Sequence, residues 1–161
     1  MRYISGGAQL PPDEQPEELL PYWLGYYERG DRYGFWAAIE RSTGVFVGWF
    51  HLRPLDEDPE DEPELGYRLA SSAWGKGYAT EGSRALVDKA FSEFGARRVH
   101  ASTMAVNLGS RRVMEKAGMR FVRNFVMDWP VRIEGDEEGD VEYAIRREEW
   151  EQDWADRQAS A

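Results

Sequence analysis

A turn with two glycines stands between a predicted strand and a predicted helix, in the stretch ELGYRLASSAWGKGYAT at residues 64–80. Gly75 and Gly77 have no Cβ, so the backbone can adopt unusual φ values there and another molecule can approach it closely. The first N–H groups of a helix have no intrahelical partner, and the peptide dipoles add partial positive charge. Residues 75–80 are therefore a candidate site for a phosphate or pyrophosphate. The alternative is an ordinary tight turn.

The glycine spacing differs from two familiar nucleotide-binding motifs. It is not the six-position pattern G-x-G-x-x-G, and no G-K-[ST] follows as in a Walker loop. A nucleotide-binding protein that uses the same turn is therefore the least favoured interpretation. The helix that begins at Tyr78 and ends around Gly95 carries apolar residues at three- and four-residue steps. These residues are Ala79, Leu86, Val87, Ala90, Phe91 and Phe94.

Two side chains are candidates for a general base. Glu64 begins the central strand, and a carboxylate in a partly apolar cleft can have a raised pKa and accept a proton directly or through water. His100 lies in the predicted strand 97–104, and a histidine titrates near neutral pH. The alternative for Glu64 is an exposed residue that ends an acidic loop. The alternative for His100 is a hydrogen-bonded position on the surface.

The segment WGKGYATEG at residues 74–82 resembles the pyrophosphate loop of the GCN5-related N-acetyltransferases (GNAT), especially the branch that includes the ribosomal-protein alanine N-acetyltransferases. The family pattern [QR]-x-x-G-x-[GA] falls on residues 72–77, where Ser72 replaces Gln or Arg. The resemblance continues through residues 107–110 and 115–119 and covers nearly all the chain. It implies an enzyme that transfers an acetyl group from acetyl-CoA to a primary amine by direct attack. The acceptor would be a protein N-terminus or a small molecule.

The resemblance also implies a set of cofactor-binding residues. Backbone groups are expected to contribute at residues 69–71 and 75–80, Asn107 to bond the pantetheine region, and the lysines to add charge near the phosphates. The alternatives are a helix cap for Asn107 and solvated charges for the lysines. The full set is Leu69, Ala70, Ser71, Gly75, Lys76, Gly77, Tyr78, Ala79, Thr80, Asn107, Ser110 and Lys116.

Catalytic roles follow from the same resemblance. Glu64 is expected to face the acceptor as the base, and Ser110 to donate a hydrogen bond to the departing thiolate. Many relatives carry a tyrosine seven residues after the family asparagine, but Met114 stands there in this chain. That acid is therefore missing, and Tyr67 and Tyr143 are the other candidate donors. No metal is implied.

Periodicity and turn signals predict one domain over residues 1–161. The resemblance implies an α/β (α+β) GNAT acyl-CoA N-acyltransferase fold, a mixed and mostly antiparallel sheet flanked by helices. In this fold the strands 64–70 and 97–104 splay apart to hold the pantetheine arm. The predicted elements are a helix to about Arg29, strands 33–40, 45–53 and 64–70, a helix 78–95, a strand 97–104, a helix 107–118, strands 121–129 and 141–145, and a helix 147–158.

Family members normally begin with a strand and a helix before the segment that matches residues 1–7, and this sequence starts without them. Either the natural protein is short at its start, or this reading frame begins late. The exposed sheet edge is expected to be covered, for example in a homodimer. The departures at Ser72 and Met114 also leave an alternative function open. In that alternative the chain is an acyl-CoA-binding sensor or interaction domain that has lost the transfer reaction.

Composition limits the partners and the compartment. The net charge is −10 with a pI near 4.8, which argues against nonspecific binding to nucleic acid or to an anionic membrane. Such a surface suits a cationic amine, although acidic residues also serve solubility. The chain has no cysteine, no visible signal peptide and no apolar run near the ~20 residues that span a membrane, so the cytoplasm is expected.

Several packing expectations follow from the pattern. The acidic residues of the loop 54–63 are expected to repel one another and stay hydrated. Phe121, Phe125 and Met127 are expected to share one side of a strand, and Trp23, Trp36, Trp49 and Phe50 to be mostly core. The first helix is expected to bury Leu19, Leu20, Trp23, Leu24 and Tyr27.

Overall fold

A computed structural model describes residues 16–127 and 134–160. The predicted order of helices and strands is confirmed, whereas the predictions for residues 1–15 and for the end of the strand 121–129 lie outside the described residues. The elements are α1 (Pro16–Glu28), β1 (Gly34–Ile39), β2 (Phe46–Arg53), β3 (Glu64–Leu69), α2 (Tyr78–Ser92), β4 (Arg98–Met104), α3 (Leu108–Lys116), β5 (Arg120–Phe125), β6 (Asp140–Arg146) and α4 (Arg147–Ala159).

The six strands form one mixed sheet in the order β1-β2-β3-β4-β6-β5. All neighbouring strands are antiparallel except β3 and β4, which run parallel because α2 crosses over between them. These two strands pair at a single register position, Glu64 with His100. Beyond that position they separate. The expected mixed sheet and the expected splay between its two central strands are therefore both present.

The buried face of α2 forms the centre of the core. Leu86, Val87, Ala90 and Phe91 are all buried there, as their spacing predicts, while Ala79 is only half-buried. Trp150 of α4 stacks on the Phe91 ring at 5.4 Å between centroids. This packing holds α2 against the sheet and so fixes where its N-terminus lies.

The prediction for the buried side of α1 was largely wrong. Leu20, Leu24 and Tyr27 are 46–50% exposed, and Trp23 is half-buried. Tyr26 is the residue that α1 buries, at 3% exposure. The helix contacts the sheet through aromatic stacking rather than through its leucines, since the Trp23 ring stacks on Phe35 at 4.7 Å. The side chain of Leu19 lies outside the described residues.

Two other packing expectations also need correction. The acidic loop 54–63 is not merely hydrated, because Asp58 and Glu62 pair with basic residues at the start of β4. Asp58 Oδ2 lies 2.9 Å from His100 Nε2, and Glu62 Oε2 lies 3.3 Å from an Arg98 guanidinium nitrogen. On β5, a register shift between Phe121 and Arg123 pairs Phe121 with Tyr143 and Phe125 with Asp140, so Phe121 and Phe125 lie on opposite sides of the strand rather than on one.

A close contact between α2 and β2 yields a stability prediction. A Cβ on Gly82 would lie 2.3 Å from the ring of Phe50, which is buried. We expect Gly82→Ala to lower the free energy of unfolding by about 1–3 kcal/mol despite the better helix propensity of alanine. Gly25→Ala is the matched control, because a Cβ there meets nothing within 4 Å.

The control should be neutral or raise the free energy of unfolding by up to about 1 kcal/mol. Urea denaturation of both variants measures the difference. Equal stabilisation of the two variants would show that Phe50 does not require the glycine.

Candidate active site

The opening between β3 and β4 is lined by a connected set of hydroxyl and amide groups. Tyr67 of β3 donates its hydroxyl hydrogen to Ser110 Oγ at 3.2 Å, which bridges from the sheet to the first turn of α3. Burial raises the pKa of the Tyr67 phenol more than its bond to Ser110 lowers it. Tyr67 therefore stays protonated and can donate at neutral pH.

Asn107 is the N-cap of α3 and also positions Ser110. Its Oδ1 accepts the Ser110 backbone N–H at 3.2 Å, as capping geometry requires. Its Nδ2 donates to Thr103 Oγ1 and to Ser110 Oγ, both at 3.1 Å. The helix-cap alternative is thus confirmed. Contact of Asn107 with a pantetheine chain stays a prediction.

Ser110 Oγ is left with a donor to offer. A hydroxyl has one hydrogen and two lone pairs. Tyr67 and Asn107 both donate to this oxygen, so its own hydrogen is free for another acceptor. The arrangement can therefore stabilise an anion that forms within the opening.

Tyr143 is not available as a second proton donor, although the sequence made it a candidate. It is 2% exposed, its hydroxyl donates to Glu115 Oε1 at 3.0 Å, and it accepts from Arg111 Nε at 3.3 Å. Its proton is therefore already committed. Met114 is buried in the core at 4% exposure and supplies no proton.

The glycine turn delivers an uncapped helix N-terminus, as its sequence predicts. Gly77 is the N-cap of α2 with φ +87°, Gly75 has φ +73°, and no side chain caps the helix. The first-turn amides at Tyr78, Ala79 and Thr80 precede the first intrahelical bond, from Glu81 N–H to Gly77 C=O. A Cβ on either glycine would meet nothing within 4 Å, so the space beside the turn is open. This is the geometry of an anion site.

The other residues expected to bind the cofactor either have backbone groups that already make hydrogen bonds or lie exposed at the surface. The Leu69 carbonyl accepts the Trp74 indole N–H at 3.0 Å, and the Ala70 amide donates to Val47 at 2.9 Å. Ser71 and Lys76 are exposed at the surface. Lys116 lies in the last turn of α3, where its carbonyl accepts from Arg84 Nε at 2.7 Å. Their roles stay predictions.

Glu64 lies at the closed end of the opening, with its side chain 19% exposed, so it is not the exposed end of a loop. Its Oε2 is 3.3 Å from His51 Nε2 and 4.0 Å from an Arg53 guanidinium nitrogen. Burial raises its pKa, but the His51 hydrogen bond and the charges of His51, Arg53 and His100 outweigh burial and lower the pKa overall. The expected raised pKa is therefore wrong, and Glu64 is an ionised carboxylate at neutral pH.

His100 is buried rather than on the surface, with its side chain 8% exposed. Its Nε2 lies 2.9 Å from Asp58 Oδ2, and its backbone amide donates to Pro63 at 3.2 Å. The ring thus secures the acidic loop beside Glu64. Because its ring is already bonded to Asp58, His100 is a weaker candidate for the base than Glu64.

His51 was missed by the sequence analysis, although it is the closest partner of Glu64. Alternation within FHLR places it on one face of β2, but its neighbour on β3 depends on the register of two strands. Among residues 16–127 and 134–160, no group of three or more His, Cys, Asp or Glu side chains could hold a metal. In the same residues, no helix is long and apolar enough to cross a membrane.

Residues 1–120 match the family described as "Acetyltransferase (GNAT) domain". The chain belongs to the GNAT acetyltransferase family. The expected GNAT fold is also confirmed by a solved structure, the GNAT-family acetyltransferase of Bacillus anthracis. It shares 28% identity and a TM-score of 0.61, over 71% of this chain and 66% of that one.

A curated relative has a more specific name. The chain is 41% identical over 123 residues to the FsC-acetyl coenzyme A-N(2)-transacetylase of Aspergillus fumigatus, covering 73% of this chain and 52% of the relative. This GNAT chain therefore spans about half the length of that protein. The ribosomal-protein-S5-alanine acetyltransferase of Vibrio fischeri, at 17% identity and a TM-score of 0.64 over 82% of this chain and 69% of its own, shares the fold.

Proposed function

We propose that this protein transfers an acetyl group from acetyl-CoA to a primary amine, by direct attack in a ternary complex. The observation that carries the proposal is the pairing of an uncapped helix N-terminus with an opening between two parallel strands. The first fits a diphosphate and the second fits an extended thiol arm. Membership of the GNAT family and the name of the A. fumigatus relative support acetyl-CoA as the donor.

In this proposal the amides of residues 78–80 hold the diphosphate and the opening holds the pantetheine. Acetyl-CoA supplies the activated acyl group. Ser110 Oγ–H is the free donor within the opening, so it bonds the sulfur as negative charge develops there. Tyr67 and Asn107 orient Ser110 through their own hydrogen bonds to Oγ. Much of the rate then comes from holding the two substrates in reacting geometry.

Glu64 removes the proton that makes the amine unreactive. An ammonium has no lone pair, so one proton must leave before the nitrogen attacks the acetyl carbon. Glu64 accepts that proton, the C–N bond forms, the C–S bond breaks, and the electron pair goes to sulfur. The second proton that the nitrogen loses as the amide forms passes to the departing thiolate, which leaves as free thiol. The lowered pKa keeps Glu64 ionised at neutral pH, so it can accept the proton, with a weaker driving force than a base whose pKa lies nearer the working pH.

The acceptor is a protein N-terminus or a small-molecule amine. The net charge of −10 favours a cationic acceptor over an anionic one. A protein acceptor would place the chain with the ribosomal-protein alanine acetyltransferases, and the fold shared with the V. fischeri enzyme is compatible with that. A small amine would agree with the name of the A. fumigatus relative. Cytoplasmic location and a homodimer accompany this proposal as expectations.

Release of free thiol from acetyl-CoA in the presence of an amine panel tests the proposal. The panel should contain polyamines, amino acids and short peptides with free N-termini. Thiol release that depends on one class of amine supports transfer and identifies the acceptor. Binding of CoA without turnover across the panel would instead support an acyl-CoA sensor, the function that Met114 in place of an acid favours. Displacement of CoA by ATP would indicate a nucleotide site.

The role of Ser110 gives a separate prediction. Ser110→Ala should lower kcat by about 10- to 100-fold, because a hydrogen bond to a charged group is worth about 1.5–3 kcal/mol. The KM for acetyl-CoA should change little, since the charge develops on sulfur only as the bond breaks. Steady-state kinetics measures both values. Ser92→Ala, at an exposed position of α2, is the matched control and should retain full activity.

A further inference from the structure

The His51 side chain is held rigidly on the face of β2 that lies beside the Glu64 carboxylate. Its side chain is only 12% exposed. Its ring stacks against Trp49 at 5.8 Å between centroids and meets the Phe35 ring edge-on at 5.4 Å. Aromatic packing on two sides therefore leaves the imidazole little freedom to rotate.

The residue facing His51 across the strand pair is Gly66, and only a glycine leaves room for the ring. A Cβ at this position would lie 2.4 Å from His51 Cε1 and 2.5 Å from Nε2. Real Cβ atoms do not approach other atoms so closely. The small residue thus lets the imidazole lie flat over β3, two register positions from Glu64, whose direct partner is Arg53.

The contact between His51 and Glu64 has a defined direction. An ionised carboxylate can only accept hydrogen bonds, so the Nε2 atom 3.3 Å from Glu64 Oε2 must carry the hydrogen. His51 Nδ1 is buried and has no hydrogen-bond partner. The hydrogen on Nε2 therefore satisfies the carboxylate, and Nδ1 takes no part in the contact.

The two oxygens of Glu64 differ in their surroundings. His51 and Arg53 both approach Oε2. Oε1 makes no hydrogen bond with residues in the described part of the chain. This asymmetry leaves one oxygen anchored and the other available to a ligand.

We propose that His51 is a positioning residue for acetyl transfer: its Nε2–H anchors Oε2 of Glu64, so that Oε1 is aimed at the ammonium group of the acceptor. The inference rests on the proposed function and deepens it. Oε1 takes one proton from the ammonium, the freed lone pair forms the C–N bond, and the thioester electron pair leaves on sulfur, which takes the second proton that the nitrogen loses. His51 neither gains nor loses a proton in this step.

Other charges also act on Glu64 and set the background for a pH test. Arg53 approaches it from β2, and His100 from β4, where Asp58 of the acidic loop holds the ring. Removing the His51 hydrogen bond leaves these groups in place. Because a hydrogen bond to the ionised form lowers a pKa, its loss should raise the pKa of Glu64.

The test compares His51→Leu, His51→Gln and Gly66→Ala with the unmodified protein. His51→Leu should lower kcat by about 10- to 100-fold through lost orientation and move the acidic limb of kcat/KM to higher pH. The KM for acetyl-CoA should stay unchanged. His51→Gln keeps an N–H donor and should restore part of the rate. Gly66→Ala keeps His51 but displaces its ring, so its acidic limb should move in the same direction.

A 13C NMR titration of the Glu64 carboxyl group in the same variants should show its midpoint at higher pH in His51→Leu. If the acidic limb of kcat/KM and the Glu64 midpoint do not move in His51→Leu while the unmodified protein is active, the role of His51 is overturned and the proposed function is not. A loss of stability without either change would also overturn that role, because that is the signature of a merely structural residue. Absence of transfer by the unmodified protein to every amine would overturn the proposed function, and the inference with it.

Discussion

Replacing Glu64 with glutamine will lower kcat/KM for amine acetylation at neutral pH by about 10²- to 10⁴-fold, the usual contribution of a positioned base. Glutamine has the same shape and can still meet His51 Nε2–H through its carbonyl oxygen. It cannot accept a proton from an ammonium group. The affinity for CoA should remain nearly unchanged, because Glu64 lies at the closed end of the opening, away from the helix N-terminus.

The pH dependence of this variant makes the prediction sharper. The lowered pKa of Glu64 means that the unmodified enzyme loses activity only when the pH falls through that low value. At high pH the acceptor already carries a free lone pair, and no base is needed. The defect of Glu64→Gln should therefore shrink by about tenfold for each pH unit as the free-amine fraction grows, until the pKa of the acceptor is reached.

Stability should follow the same ionisation. A carboxylate whose pKa is lower in the folded state stabilises the fold above its unfolded pKa, and this contribution is lost as pH falls through the folded value. Glu64→Gln should therefore be less stable than the unmodified protein at pH 7 and approach it in acid. Urea denaturation at several pH values measures this difference.

Glu93→Gln is the control for the kinetic prediction. Glu93 pairs with Lys89 on the surface of α2, and its side chain is 57% exposed. Its replacement should leave kcat/KM unaltered at every pH. If Glu64→Gln were as active as this control, Glu64 would not be the base, and the free amine itself would have to be the species that binds.

The parts of the fold that could be predicted from the sequence are those in which the local pattern and the tertiary contacts agree. The turn at Gly75 and Gly77 and the apolar face of α2 fix the central crossover without reference to other segments. The first helix was harder, because Leu20 and Leu24 are as apolar as any core residue. Aromatic stacking of Trp23 on Phe35 decided its orientation instead, and that contact crosses two elements.

The candidate site shows the same division. Asn107 and Ser110 belong to one short segment, so the capping pattern already placed them together. His51, by contrast, meets Glu64 only through the register of β2 and β3, which no local pattern states. The lowered pKa of Glu64 was missed for the same reason. Burial alone would raise this pKa, and the His51 side chain that lowers it lies 13 residues away in the chain.

Gly77→Val will weaken the binding of CoA by about 10²- to 10³-fold, the second large effect expected. Gly77 has φ +87°, a left-handed conformation that a β-branched residue adopts only with strain. Relieving the strain turns the first amides of α2 away from the diphosphate that they would bind together. The valine methyls also enter the open space beside those amides. Each charge-assisted hydrogen bond lost costs about 1.5–3 kcal/mol, so losing two accounts for the effect.

Gly95→Val separates this local effect from general damage to the fold. Gly95 follows the other end of α2 with φ +73°, and a Cβ there also meets nothing within 4 Å. Both variants should thus lose similar stability, about 1–2 kcal/mol, for the same backbone reason. Calorimetry should show near-normal CoA affinity for Gly95→Val and a large loss for Gly77→Val. If Gly77→Val and Gly95→Val bound CoA equally well, the turn at Gly77 would not hold the diphosphate, because the only effect common to both variants is backbone strain.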